Sequence, residues 1–250
     1  MTRLDAFLQA IKTEFPDDRL TWQKRLPTFH PESAEEAAFL FKLAMREKQH
    51  LYITGFGNNI DPVGDRFTDL VIVRTDRLNA IHEISDADLY VKVGAGYPLR
   101  ELMLSLTEKK LFLPHASLPY VGSAGGAVAI NLTAELNGHD LPLKKYFIQS
   151  EIVTPQGQVV KLGSVCFKSV SGYDVVKVYA PSWGLLGLIV SATFRVLPLT
   201  AADEYAAMTM KPIDRAHFLS GLDESSEDVD VNYSRKIKAK FDPDGILPVV

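Results

Sequence analysis

The sequence has almost no cysteine, since Cys166 is the only one in 250 residues. A single cysteine cannot form an intrachain disulfide, and it cannot supply the several thiolates of a cysteine-rich metal site. Cys166 lies between Val165 and Phe167, where a small buried hydrophobic side chain is its expected role. We therefore predict no metal site and a reducing, cytoplasmic setting.

Long apolar runs are missing too. No segment reaches the roughly 20 apolar residues that a transmembrane helix requires, and residues 1–15 lack the apolar core of a signal peptide. Their apolar spacing suits an amphipathic helix instead. The sequence predicts no direct membrane insertion, so that any membrane association would depend on a partner protein.

The chain has no excess of basic residues. Its net charge is −4 and its pI is about 5.9, with 46% hydrophobic residues. Proteins that bind nucleic acid present a basic face, so nucleic acid is not a predicted partner. The composition is that of a globular protein that buries a full core.

Glycine, in contrast, is concentrated in three clusters, of which residues 168–189 contain Gly172, Gly184 and Gly187. Glycine inside an ordered element costs stability unless the backbone must bend there or approach another group closely. A strand follows in which Ser191 and Thr193 are expected to face outward. This cluster is therefore expected to be held on a sheet, as binding sites usually are.

The first cluster, Gly55-Phe56-Gly57-Asn58-Asn59, follows an apolar strand at residues 51–54. A helix precedes that strand, and its start is predicted from a capping box formed by Ser33 and Glu36. A helix-strand-loop order places the loop at the carboxyl end of a strand, where ligands bind in α/β folds. Taken alone, a short glycine loop is more often a turn.

The second cluster, residues 122–131, passes from glycine into small apolar residues typical of a tightly packed helix start. A diphosphate needs several backbone N–H groups that converge without Cβ atoms in the way. Two such loops can hold one diphosphate from opposite sides. The three clusters together indicate a nucleotide cofactor. Between the second and third clusters, residues 148–154 and 158–162 flank Pro155-Gln156-Gly157 and predict a hairpin.

This ordered set of motifs resembles the FAD-binding domain of the vanillyl-alcohol oxidase and p-cresol methylhydroxylase (PCMH-type) family, especially the small FAD-domain subunit of glycolate oxidase complexes. The similarity covers nearly the whole chain, and the set is specific although no single member of it is. Its parts are residues 30–36, 55–59, 69–73, 93–96, 122–131, 168–174, 184–189 and 241–247.

The resemblance implies a noncovalent FAD site, since the first loop has neither the histidine nor the cysteine that some relatives attach to flavin. Residues 55–59 would wrap the diphosphate from one side and residues 122–126 from the other. Ala129 and Asn131 would lie along the ribityl chain or the flavin edge, and Ile189 beside the adenine. The predicted cofactor-binding residues are Ile53, Thr54, Gly55, Phe56, Gly57, Asn58, Asn59, Pro114, Gly122, Ser123, Gly125, Gly126, Ala129, Asn131, Lys168, Gly172, Tyr173, Asp174, Gly187 and Ile189.

Three of the predicted cofactor-binding residues have an alternative interpretation. In it, the side chain of Tyr173 packs and forms a hydrogen bond in the core, and the charged side chains of Lys168 and Asp174 stabilise the loop. His115, His139 and His217 have no partner residue beside them in sequence, so all three are expected to be structural or at the surface. No catalytic residue is assigned.

The implied fold is α+β, a PCMH-type FAD-binding fold of two α/β lobes, the first with a mixed parallel sheet and the second with a larger antiparallel sheet. We predict a FAD-binding domain over residues 1–198, with lobes at about 20–95 and 96–198. Residues 199–233 would be a remnant of the cap domain with an acidic loop, and residues 234–250 a C-terminal tail that packs back on the FAD-binding domain. The cap or substrate domain of complete oxidases would be essentially missing.

The implied function is that of a FAD-binding subunit of a flavin-dependent oxidoreductase, a glycolate or lactate (2-hydroxy acid) oxidase or dehydrogenase complex with electron transfer. A larger flavoprotein subunit and an iron–sulfur subunit would be its partners, and its own substrate site would be incomplete. The alternative is a noncatalytic FAD-fold partner or regulatory module with weak or lost FAD binding. That alternative arises because Phe56 and Pro181 replace glycines common in relatives, and residues 133–145 lack the serine-glycine and tyrosine-glycine motifs that relatives often show after the second loop.

Overall fold

The computed structural model describes residues 2–23, 25–58, 69–165, 175–220, 222 and 229–249. Its α-helices are α1 (Arg3–Glu14), α2 (Ala34–Glu47), α3 (Leu99–Glu108), α4 (Ala124–Ala129), α5 (Arg215–Ser220) and α6 (Val229–Phe241). Its strands are β1 (Leu20–Gln23), β2 (Leu26–Phe29), β3 (His50–Thr54), β4 (Leu70–Arg74), β5 (Ile81–Ser85), β6 (Tyr90–Gly94), β7 (Leu111–Phe112), β8 (Thr133–Leu136), β9 (His139–Pro142), β10 (Phe147–Val153), β11 (Val159–Gly163), β12 (Leu188–Arg195), β13 (Leu197–Pro198) and β14 (Thr209–Met210).

The first lobe is built on a four-stranded sheet with the order β1-β2-β4-β3. Strand β4 runs parallel to β2 and β3, while β1 and β2 form an antiparallel pair. Helices α1 and α2 bury Phe7, Ile11 and Phe41 in one hydrophobic cluster with Leu51 and Val71 of the sheet. This arrangement leaves the carboxyl end of β3 free to carry the first glycine loop.

The predicted start of α2 is confirmed, although its capping box is displaced. The hydroxyl of Ser33 accepts a hydrogen bond from the backbone N–H of Glu36 at 3.2 Å. The carboxylate of Glu36 accepts from the N–H of Glu32 at 2.8 Å, and not from that of Ser33. Arg19 also bonds this carboxylate, at 3.2 Å, and draws it away from the box geometry.

The second lobe is built on a five-stranded antiparallel sheet with the order β11-β10-β12-β6-β5. The predicted hairpin is confirmed, since β10 and β11 pair around residues 154–158. The expectation that Ser191 and Thr193 face outward is wrong, because both are only 1% exposed. Residues of β12 belong to two hydrophobic clusters, one with Ala127 and one with Phe41, so this central strand is covered on both faces.

The two sheets confirm the α+β class, with a mixed sheet followed by an antiparallel one. The boundary between the two sheets lies earlier in the chain than the lobe boundary predicted near residue 95. Strands β5 and β6 precede residue 95, yet β6 pairs with β12 in the second sheet. The hydrophobic pattern of a segment predicts that it forms a strand, but it does not predict which strand is its partner. The sheet to which a strand belongs is therefore not evident from its own sequence.

Residues 199–220 form short elements beside the second lobe. A 3-10 helix at Leu199–Tyr205 is followed by β14, which pairs with β8, and by α5. The acidic loop predicted near residues 223–230 lies almost entirely outside the described residues.

Residues 242–247 connect the end of α6 to the first lobe. Ile246 and Leu247 are each 2% exposed and join the first-lobe cluster. The carbonyl of Ile246 accepts a hydrogen bond from the N–H of Leu51 at 2.7 Å. The side chain of Asp242, with no exposed surface, accepts from the N–H groups of Ile246 at 3.0 Å and Leu247 at 2.9 Å and pairs with Lys238. These bonds hold the tail against the outer edge of β3.

Candidate cofactor site

The loops from the three glycine clusters meet around one open cavity, whose empty space together with the solvent at its mouth is about 740 Å³. Most of the predicted cofactor-binding residues that the structure describes line it. These are Ile53, Thr54, Gly55, Phe56, Gly57, Asn58, Gly122, Ser123, Gly125, Gly126, Ala129, Gly187 and Ile189. The cavity is also lined by residues outside the predicted set, namely Tyr52, Thr75, Ala95, Tyr120, Ile130, Trp183 and Gly184.

The first loop leaves β3 at Thr54, which pairs with Arg74 of the neighbouring β4. Gly57 has a φ of +78°, in the left-handed region that glycine adopts without strain. At Gly55 the reason for glycine is proximity, because an added Cβ would lie 2.6 Å from Oγ of Ser123. The first and second loops therefore touch, and the side-chain amide of Asn58 joins them further by donating to the carbonyl of Val121 at 3.0 Å.

The second loop is clamped onto the end of β6. The N–H of Ala124 donates to the carbonyl of Tyr97 and the N–H of Gly125 to the carbonyl of Ala95, both at 2.8 Å. A Cβ on Gly125 would lie 2.6 Å from Cβ of Ala95. Ser123 caps α4, since its Oγ accepts from the N–H of Gly126 at 3.1 Å. The loop is thus rigid and closely packed.

Backbone donors remain on both loops. Within the residues that the structure describes, the N–H groups of Phe56, Gly57, Asn58, Gly122 and Ser123 donate to no protein acceptor. Backbone N–H groups near the protein interior need a partner, which a ligand can provide. Unpaired amides on two facing loops form a suitable environment for anionic oxygen atoms, such as those of a phosphate.

The third wall comes from the turn before β12. Gly184 has a φ of +78°, and its Cβ would lie 3.1 Å from Cβ of Ile53 in the first lobe. Trp183 also has a left-handed φ of +49°, which costs a side-chain-bearing residue about 1–2 kcal/mol. The N–H groups of Ser182 and Trp183 both donate to the carbonyl of Ala129 at 2.9 Å and hold this conformation. Such strain is concentrated at functional sites.

Two of the remaining predicted residues lie elsewhere. Pro114 is buried in a 3-10 helix at Pro114–Ser117 and is not among the residues that line the cavity. Asn131 lines a second, neighbouring cavity. The other predicted residues, Asn59, Lys168, Gly172, Tyr173 and Asp174, lie outside the described residues, as does Cys166.

The cavity lining carries no charged side chain and no histidine in the described part of the chain. Among its titratable groups, burial raises the pKa of Tyr52 to about 12, although the nearby charge of Arg215 opposes this shift. The phenol is thus neutral at physiological pH. The cavity can bind and orient a ligand, but it offers no side chain poised for proton transfer near neutral pH.

His115 is buried away from this cavity, and its role is structural. Its Nε2 lies 2.9 Å from the carbonyl oxygen of Leu141, and its ring packs edge-on against Tyr146. Burial lowers the pKa of His115 from 6.5 to about 4. His139 is exposed on β9, and the side chain of His217 lies outside the described set.

We expect the free energy of unfolding to depend on pH through His115. Because its pKa is lower in the folded state, the unfolded chain binds more protons between pH 6.5 and pH 4. The stability contributed by neutral His115 is complete above pH 6.5 and is lost as the pH falls toward 4, by roughly 3 kcal/mol. Urea unfolding of the protein and of His115→Gln at several pH values measures this. The variant should lose most of the slope, and an unchanged slope would assign it to other groups.

None of the helices in the described parts of the chain is both long and apolar enough to cross a membrane. No group of three or more His, Cys, Asp or Glu side chains is placed to hold a metal ion in those parts either.

Sequence comparison relates this geometry to known proteins. The chain is 28% identical over 212 residues to the mitochondrial D-lactate dehydrogenase (cytochrome) of Arabidopsis thaliana, which covers 78% of this chain and 36% of that protein. It is 22% identical over 188 residues to glycolate oxidase subunit GlcD of Bacillus subtilis, covering 74% of this chain and 40% of the relative. Glycolate oxidase subunit GlcE of Escherichia coli is 26% identical over 114 residues, covering 44% and 32%. The chain thus spans between 32% and 40% of the length of these relatives.

A solved structure of alkyldihydroxyacetonephosphate synthase has the same fold, with a TM-score of 0.65 and 19% identity. The similarity covers 78% of this chain and 40% of that one. The family model for the FAD binding domain matches residues 27–163, which is more than half of the chain and includes both of the first two glycine loops. The resemblance seen in the sequence and its FAD cofactor are thereby confirmed, and the chain belongs to the FAD binding domain family.

Proposed function

We propose that the chain holds FAD noncovalently in the cavity between the three loops, as the FAD-binding part of a flavin-dependent oxidoreductase. The observation that carries this proposal is the meeting of two glycine loops on which the N–H groups of residues 56–58, 122 and 123 have no acceptor among the residues that the structure describes. The family match covers both loops. Relatives named D-lactate dehydrogenase and glycolate oxidase subunit support a 2-hydroxy acid, such as glycolate or lactate, as the substrate of the complete system.

In this proposal different residues of the cavity bind different parts of the cofactor. The N–H groups of residues 56–58 and of Gly122 and Ser123 would bind the diphosphate from two sides. Ile189 and Gly187 would line the adenine end, and Ala129 the ribityl end. Bound flavin would supply the redox chemistry by accepting a hydride equivalent. The apolar walls would exclude water from the bound group.

Noncovalent binding is proposed because no histidine or cysteine is among the described residues that line the cavity. Those two residue types form the covalent flavin links expected in this family. FAD should therefore leave the protein on denaturation.

Partners are proposed because the lining residues that the structure describes include no charged side chain or histidine to act as acid or base on a substrate. Two relatives are named as subunits of glycolate oxidase, GlcD and GlcE. We place this chain beside a larger flavoprotein subunit, which would complete the substrate site, and an iron–sulfur subunit that would carry electrons onward in the cytoplasm. Residues 1–198 would form the FAD-binding domain, residues 199–233 the cap-domain remnant and residues 234–250 the tail.

The alternative is a noncatalytic module with the same fold. It is favoured by Phe56, a lining residue at a position where relatives commonly carry glycine. A side chain at that position needs space that glycine leaves to the cofactor.

Reconstitution with FAD separates these two functions. We expect flavin absorbance to coelute with the purified chain on gel filtration in a 1:1 ratio, and to be released as free FAD when the protein is denatured. Dithionite should bleach the bound flavin. Failure to retain FAD at micromolar protein would favour the noncatalytic module, and flavin that stays with the denatured chain would contradict noncovalent binding.

A further inference from the structure

A second cavity, of about 490 Å³, adjoins the first. Ile130 and Trp183 line both cavities, so the two share a wall. The outer side of the second cavity is formed by residues 211–214 together with α5 and α6. It is large enough for a ligand of the size of a small cofactor or drug.

Most of the side chains that line the second cavity are apolar. They include Leu132, Val178, Leu186, Ile213, Phe218 and Ile237. The rings of Trp183 and Phe218 pack with their centroids 5.8 Å apart and their planes tilted by 34°. Two aromatic side chains on one wall favour a ligand that itself carries a ring.

The charges around the cavity are already matched. Nζ of Lys211 lies 2.9 Å and 3.0 Å from the two carboxylate oxygens of Asp140. Lys238 pairs with the buried carboxylate of Asp242. The remaining charged residue on the lining is acidic, Asp214. A small carboxylate would therefore find no uncommitted cation among the described lining residues, and its desolvation would go uncompensated.

Trp183 joins this cavity to the cofactor site. Its backbone is held in the left-handed conformation by the hydrogen bonds that the N–H groups of Ser182 and Trp183 donate to the carbonyl of Ala129. Ala129 lies at the end of the second glycine loop, and Trp183 faces it. A ligand that touches the indole in the second cavity is therefore adjacent to whatever fills the first.

We propose that the second cavity binds an uncharged, apolar, ring-bearing molecule against Trp183, beside the cofactor. The adjacency to flavin rests on the proposed function, whereas the binding itself does not. A 2-hydroxy acid would bind elsewhere, at the site that a partner subunit completes.

Tryptophan fluorescence tests the proposal on the full chain. Trp22, the other tryptophan of the sequence, is 61% exposed on β1, so Trp22→Phe leaves Trp183 as the reporter. We expect menadione, an uncharged ring compound, to quench Trp183 saturably at micromolar concentration, with and without FAD. D-lactate at millimolar concentration should cause no quenching.

Two substitutions locate the site. Phe218→Ala removes an aromatic wall, and Ile237→Ser removes apolar surface from α6. Each should weaken menadione binding at least tenfold and leave FAD binding unchanged. Phe39→Ala, on α2 and 38% exposed, is the matched control and should change neither. The second variant keeps the test decisive if the first disturbs α5.

The contrary outcomes are distinct. Quenching that does not saturate, equal quenching by D-lactate, or full binding in both variants would overturn the proposal. Displacement of menadione by FAD would assign the second cavity to the cofactor and overturn it too. If menadione binds but FAD does not coelute, the proposed function fails while this inference stands.

Discussion

Gly126→Asp should weaken FAD binding by about 1000-fold while leaving the fold intact. The new side chain would start between Oη of Tyr120 at 3.0 Å and Oγ of Ser123 at 3.2 Å, in the loop proposed to hold the diphosphate. Two like charges about 4 Å apart repel by roughly 4 kcal/mol at the effective dielectric constant near a protein surface. That energy corresponds to about three orders of magnitude in affinity. Equilibrium dialysis with FAD measures the effect.

Gly126→Ala is the matched control, because it adds the same Cβ without charge. Its contacts require shifts of a few tenths of an ångström, so we expect a loss of no more than about tenfold, or roughly 1.4 kcal/mol. An acidic residue in the first turn of a helix is compatible with folding, and the circular dichroism spectra of both variants should match that of the parent. If Gly126→Asp binds FAD as well as Gly126→Ala does, the diphosphate lies elsewhere.

Asp242→Ala should destabilise the protein by about 3 to 5 kcal/mol, the range found when one partner of a buried ion pair is removed. The substitution leaves Lys238 without its carboxylate and takes the acceptor from the N–H groups of Ile246 and Leu247. Unsatisfied buried donors add to the loss. Urea unfolding at neutral pH measures the change. FAD affinity should also fall, because the tail that Asp242 holds bonds to Leu51 of β3.

Asp244→Ala is the control for this variant. Asp244 carries the same charge two residues away and is exposed, so its loss should change stability by less than about 0.5 kcal/mol. Asp242→Asn keeps one oxygen acceptor and should give an intermediate value. Equal stability of the alanine variants at the two positions would show that the tail contributes little to the fold.

Much of the candidate site follows from the sequence because glycine is informative there. Gly55 and Gly125 lie where a Cβ would meet the neighbouring loop or strand within 2.6 Å, and Gly57 and Gly187 have positive φ values of +78° and +140°. Close approach and left-handed backbone are the two conditions that glycine meets at low cost. The clustering of such positions therefore predicts where the backbone comes near a ligand.

The rest depends on contacts that have no local signal. Trp183 lines the cavity through a left-handed conformation that its residue type disfavours, so sequence patterns do not place it there. Ser191 and Thr193 look like outward-facing strand residues, and only the second layer over β12 buries them. Tyr52 and Thr75 reach the cavity because β3 and β4 are neighbours, which local periodicity does not reveal. Sheet neighbours and layers are set by the tertiary fold.

The hydrogen bond between Leu51 and Ile246 also bears on the order of folding. It completes the outer edge of β3, the strand that presents the first glycine loop, with residues that are synthesised long after it. Contacts between distant parts of a chain close large loops and form late and slowly. On the ribosome, the first lobe would therefore have its helices and inner strands before its cofactor loop is braced. Cofactor capture is then expected to follow the exit of residues 242–247 from the ribosome.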